Sequence, residues 1–172
     1  MDYMFRDLKA DEIDCRLSQI NDKGLSLLLY KDARVDMDIL DETVGAKNWQ
    51  RKHTRDNANC IIEIWDEDKK QWIAKEDTGT ESYTEKEKGL ASDSFKRAGF
   101  NWGIGRELYT APFIYIPVKD REGNANYKPE EKKGKLVTYT KFHVEAIQIT
   151  DKVITGLAIK NDKNKRVFVY KK

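Results

Sequence analysis

Asn59-Cys60-Ile61-Ile62-Glu63-Ile64-Trp65 and Gln71-Trp72-Ile73-Ala74-Lys75-Glu76-Asp77 are two extended runs separated by Asp66-Glu67-Asp68-Lys69-Lys70. Their β-branched and aromatic content predicts strands, and the short polar connection predicts a hairpin. Ile62 and Ile64 point to one side, Ile61 and Trp65 to the other, as in a strand covered on both faces over part of its length. Just upstream, Trp49–Thr54 reads as a third strand. Downstream, Thr84-Glu85-Lys86-Glu87 matches a capping box, and a helix is expected from 85 to about Trp102. Leu90, Ala91, Phe95, Ala98 and Trp102 form its apolar face, and Gly103-Ile104-Gly105 ends it. The centre of the chain is therefore a β-β-β-α unit.

Working outward, Asp32 is placed to cap a helix over 33–44, with Ala33, Met37, Leu40 and Val44 inward and Asp36, Asp38, Asp41 and Glu42 toward water. Leu25–Tyr30 reads as a short strand. Residues 9–21 read as an amphipathic helix through Ile13, Leu17 and Ile20, stopped by Asn21-Asp22-Lys23-Gly24. Pro112 and Pro117 bracket a short extended piece, and 119–135 is a mixed-charge surface loop. Lys141–Thr150, Val153–Lys160 and Arg166–Tyr170 read as a terminal meander that must dock to be stable. The expected class is α+β: an antiparallel sheet packed by a long helix, N-terminal helices, and a C-terminal β-meander. In chain order this is a core over 1–110, a connecting loop over 111–135, and docked strands over 136–172, forming one domain.

The chain has 172 residues and a net charge of +2. Residues 1–45 hold eleven acidic and six basic side chains, so the basic excess falls on 46–172 and points to a polyanionic partner. Cys15 and Cys60 belong to no spaced pair and are expected to be reduced thiols. The first residues lack a signal core, and no apolar run approaches the ~20 residues of a membrane span. A cytoplasmic protein without membrane contact is expected.

No catalytic constellation emerges. His53 and His143 lie far apart and, with the two cysteines, show no zinc-ligand spacing, so neither metal nor cofactor is expected. Gly103-Ile104-Gly105 sits at the end of a helix and lacks the third glycine of a dinucleotide turn. Walker A and nucleophile-elbow motifs are absent. Glu130-Glu131-Lys132 leaves a metal-dependent nuclease as an alternative, although its carboxylates sit in the charged loop.

Basic residues are clustered twice. Lys47, Arg51, Lys52 and Arg55 interleave with Trp49 and His53, and strand alternation puts Trp49, Arg51, His53 and Arg55 on one face and Lys52 on the other. Cations beside an indole suit single strands, where charge neutralises phosphate and flat rings stack on bases. The second cluster, Lys96-Arg97, lies in the long helix.

Around that second cluster, Ser92-Asp93-Ser94-Phe95-Lys96-Arg97-Ala98-Gly99-Phe100-Asn101-Trp102-Gly103 resembles the signature helix of the Rad-fifty-two-type annealing proteins, and of the Sak-type phage proteins among them. Ala33-Arg34-Val35, Gly45-Ala46-Lys47-Asn48-Trp49 and Glu76-Asp77-Thr78-Gly79 resemble further family motifs in the same order, so the likeness covers about residues 25–110. The resemblance implies a non-enzymatic protein that binds single-stranded DNA in a basic groove and anneals complementary strands in recombination and repair, without nucleotide hydrolysis. It implies homo-oligomeric rings or filaments, a bacterial or phage-infected cell with location at the nucleoid, and a single-strand-binding protein as a further partner. Lys96, Arg97 and Arg34 match the family's DNA-contacting positions; Lys47, Arg51 and Lys52 fall in a matching region. Phe100 stands where some members have another arginine, and with Trp49 it is a candidate for base stacking. A different single-stranded nucleic-acid-binding or adaptor module is the alternative.

Overall fold

The structure, a computed structural model, describes residues 4–80 and 86–172, the side chains of 86–88 excepted. Its strands, in chain order, are β1 (Asp14–Ile20), β2 (Gly24–Tyr30), β3 (Trp49–Thr54), β4 (Asn59–Asp66), β5 (Gln71–Thr78), β6 (Ile114–Pro117), β7 (Pro129–Lys132), β8 (Lys135–Thr138), β9 (Phe142–Thr150), β10 (Val153–Asn161) and β11 (Arg166–Lys171). The helices are α1 (Ala33–Val44) and α2 (Lys86–Asn101). All the strand pairs are antiparallel, and the fold is α+β. The chain divides into two compact units: Met1–Asp7 with Asp32–Arg106, and Leu8–Lys31 with Glu107–Lys172.

The first unit is the β-β-β-α arrangement with α1 added. Its sheet runs β3-β4-β5, and β4 alternates strictly, with Cys60, Ile62, Ile64 and Asp66 buried. Those residues meet Leu90, Phe95 and Ala98 of α2, while Ile39, Leu40 and Val44 of α1 complete the core. The Asp32 carboxylate caps α1 by accepting the Arg34 N–H at 2.8 Å, and Gly45 ends the helix at φ 87°. Asp36, expected to face water, is instead fully buried. It lies against Gly99 of α2, where the lack of a side chain leaves room for the carboxylate. The capping box at Thr84 falls outside the described residues.

The second unit is built on a six-stranded sheet in the order β11-β10-β9-β1-β2-β6. Its edge strands β6 and β11 approach each other, so the sheet curls toward closure. Leu25, Leu27, Ile114, Ile116, Val144, Leu157 and Ile159 line its buried side. The C-terminal meander forms as expected, but its sheet partners are β1 and β2, not β3–β5.

Two expectations are corrected. Residues 14–20 form a strand, not a helix; only Ala10–Glu12 make a short 3-10 turn. Recurrence of Ile13, Leu17 and Ile20 fits either period over so short a stretch. The turn decides it: Asn21 N–H donates to Gly24 O at 2.9 Å and closes a tight hairpin that zips β1 onto β2. What reads as a helix stop is a hairpin turn. The charged segment 119–135 is also more ordered than a loop, since Pro129–Lys132 pairs with Lys135–Thr138 around Gly134. Gly134 takes a positive φ of 74°, which a tight turn requires and glycine adopts without a Cβ clash.

Candidate nucleic-acid interface

Arg34 stands in the first turn of α1 and is 82% exposed. Its guanidinium folds back on the helix cap, donating from Nε to Asp32 Oδ1 at 3.0 Å and from NH2 to Oδ2 at 3.1 Å. The Arg34 hydrogen bonds hold the Asp32 carboxyl below its ordinary range, and the Lys96 charge adds to the effect. On α2, Arg97 Nε donates to Asp93 Oδ2 at 2.9 Å, an i, i+4 pair. Burial pushes the Asp93 carboxyl upward. The Thr80 N–H, donated at 2.8 Å, and the charges of Arg97 and Lys96 outweigh it, and the net shift is down.

Lys96 therefore lies within the field of both carboxylates, between the α1 cap and the outer side of α2. Arg34, Lys96 and Arg97 gather in one region, and none is sealed in the core: Arg97 is 36% exposed and Lys96 half-buried. Small residues allow this arrangement. A Cβ on Gly79 would stand 2.7 Å from the Ser94 backbone nitrogen, so the end of β5 can lie directly on α2 only because position 79 is glycine. The Ser94 hydroxyl donates to Asn57 O at 2.9 Å, joining α2 to the β3–β4 turn.

The other basic candidates are distributed differently. Strand alternation holds, but the face bearing Trp49, Arg51 and His53 is turned to α2. Trp49 stacks on Phe95 with centroids 6.1 Å apart and donates its indole N–H to Asp41 at 2.6 Å. The Arg51 guanidinium lies 4.7 Å over the Phe95 ring, and the His53 ring is 3.4 Å from the Ser94 hydroxyl. Trp49 thus ties β3 to both helices, while Arg51 covers the margin of the core with its charge outward. Lys52 points to the opposite face and pairs with Glu63 at 2.9 Å. Lys47 lies beyond the C-terminal end of α1, a helix of twelve residues and about 18 Å, so it is remote from Arg34. Phe100 is half-buried on α2.

Sequence reasoning missed the two carboxylates that organise the cations. The signal was present as Asp32-x-Arg34 and as Asp93 four residues before Arg97. Charge is also partitioned differently from the chain-order split. The first unit holds fourteen basic and eighteen acidic residues, the second eighteen and twelve, so the cationic excess belongs to the second.

Compared with models of protein families, with curated proteins and with solved structures, the chain matches none. Among the described residues, no group of three His, Cys, Asp or Glu is placed to hold a metal ion. No described helix is long and apolar enough to cross a membrane. Cys15 and Cys60 are both free, and burial pushes their thiols up to about 12 and about 11, so neither is a thiolate at neutral pH.

Proposed function

We propose that this protein binds single-stranded DNA through Arg34, Lys96 and Arg97 and promotes annealing of complementary strands without nucleotide hydrolysis, as a Rad-fifty-two-type annealing protein does. The observation that carries the reading is the gathering of these three cations around the α1 cap and the outer side of α2. A phosphate backbone passing there replaces Asp32 and Asp93 as the partner of two guanidiniums, and each contact releases counterions. Bidentate guanidiniums suit phosphate oxygens as they suit carboxylates.

Annealing requires no bond chemistry. Strands held extended and partly neutralised lose their internal folding and mutual repulsion, and base pairing supplies the free energy. Self-association into rings or filaments lines up many such sites on one strand and multiplies weak contacts. β5 is an edge strand of its sheet with mostly exposed side chains, which offers one route to such assembly. A recombination role in a bacterial or phage-infected cell, at the nucleoid and alongside a single-strand-binding protein, belongs to the same proposal.

The test is a fluorescence assay on complementary oligonucleotides with no nucleotide present. Acceleration by the wild type and its loss in Arg34→Ala and Lys96→Ala/Arg97→Ala, with unchanged circular dichroism, is expected. Equal pairing rates with and without the wild-type protein would exclude an annealing role.

A further inference from the structure

We infer that the second unit carries a separate platform for unpaired nucleobases on the open face of its sheet along β2 and β6. Phe113, just before β6, is 78% exposed and Tyr115 is 40% exposed. Their rings stack at 15° with centroids 6.4 Å apart, so two flat faces are already aligned. The Tyr115 orientation is built into the sheet. A Cβ on Gly24 would meet the Tyr115 hydroxyl at 2.5 Å, and the bare glycine lets the phenol lie across β2.

The surroundings match a base better than a protein side chain. Beside the rings is a cavity of about 580 Å³, within the range of small-molecule sites, lined also by Gln19, Asn21 and Ser26. Amide and hydroxyl groups at the rim of a flat aromatic surface can address the polar edges of a base stacked on it. On the same face Arg16 lies 4.8 Å over the Tyr30 ring and sits opposite the exposed Leu28, bringing a cation close to the platform. The whole unit carries six more cations than anions, which complements a polyanionic chain. Large aromatics exposed together on a sheet face need an occupant, and here ring geometry, polar rim and charge favour a single-stranded polynucleotide. This site is distinct from the Lys96 cluster: it reads bases, whereas that cluster meets phosphates.

Two probes separate these roles: oligo(dT), and an abasic deoxyribose-phosphate strand of equal length. Wild-type protein is expected to bind oligo(dT) about tenfold or more tightly than the abasic strand, the scale of a base stacked on an aromatic ring. Phe113→Ala/Tyr115→Ala removes most of that preference while leaving abasic affinity in place. Phe113→Ala alone, at a highly exposed side chain, gives a smaller loss with no threat to the fold, and Phe113→Trp retains the preference. An unchanged preference in both alanine variants overturns the platform, as does a drop in particle mass with the preference intact, which would make this face a protein interface. Lys96→Ala/Arg97→Ala should weaken both probes equally. If it weakens neither, the phosphate site fails, and the oligo(dT)-to-abasic ratio still judges the platform.

Discussion

Arg97 reaches back one helical turn to Asp93 and donates to it at 2.9 Å, so a cation proposed to meet DNA already has a carboxylate partner. Such a pair lowers affinity, because DNA must compete with Asp93 for the guanidinium. Asp93→Asn is therefore expected to raise affinity for oligo(dT) severalfold and to steepen its salt dependence. A titration at two salt concentrations checks this, and weaker binding by the variant with an unchanged melting temperature would contradict it.

Lys52 and Lys47 serve as internal controls. Lys52 lies on the sheet face away from α2 and is paired to Glu63, while Lys47 lies past the far end of α1. Alanine at either position should change oligo(dT) affinity by less than about twofold, the scale of an exposed ion pair. A loss as large as that of Lys96→Ala/Arg97→Ala would redraw the interface.

Gly79 permits the closest approach of β5 to α2, and a methyl there would stand 2.7 Å from the Ser94 backbone nitrogen. Backbone cannot swing aside as a long side chain can, so Gly79→Ala should cost about 1–3 kcal/mol, typical of overpacking. The midpoint of urea unfolding reads this directly; a midpoint equal to the wild type would show the contact to be slack.

Acid should weaken the second unit. Hydrogen bonds from Arg166, with help from Lys160, bring the Glu145 carboxyl down to about 2, and the Lys165 ammonium does the same for Asp120. Both folded values lie below the ordinary ones of 4.5 and 3.8. The stabilisation is thus complete above about pH 4.5 and is lost as pH falls toward 2. Melting temperature should drop across that window, and less steeply in Glu145→Gln. A variant slope equal to the wild type would remove Glu145 from the account.

The β3–β5 sheet and α2 were legible because each carries its own local signal: alternation in β4, a polar hairpin, a small-and-aromatic helix face. The strand at Asp14–Ile20 was not, since its identity depends on the partner across the Asn21–Gly24 turn. Asp36 shows the same limit, because a charged side chain on a helix gives no sign that a glycine elsewhere has made space for it. At the site, the cation positions could be read, but not their carboxylate partners or the covering of Trp49 by Phe95. Phe113-Ile114-Tyr115-Ile116 alternates aromatic and aliphatic residues, and only the sheet reveals that the aromatic side is open.

The central claim is that Arg34, Lys96 and Arg97 hold the phosphate backbone of an unpaired strand. Its most direct test is the salt dependence of oligo(dT) binding by wild type and by the triple alanine variant. Each lost phosphate contact should reduce the log–log slope by about 0.7, so the variant is expected to bind more weakly and with a slope shallower by about 2. Identical slopes and affinities in a folded variant would contradict the account.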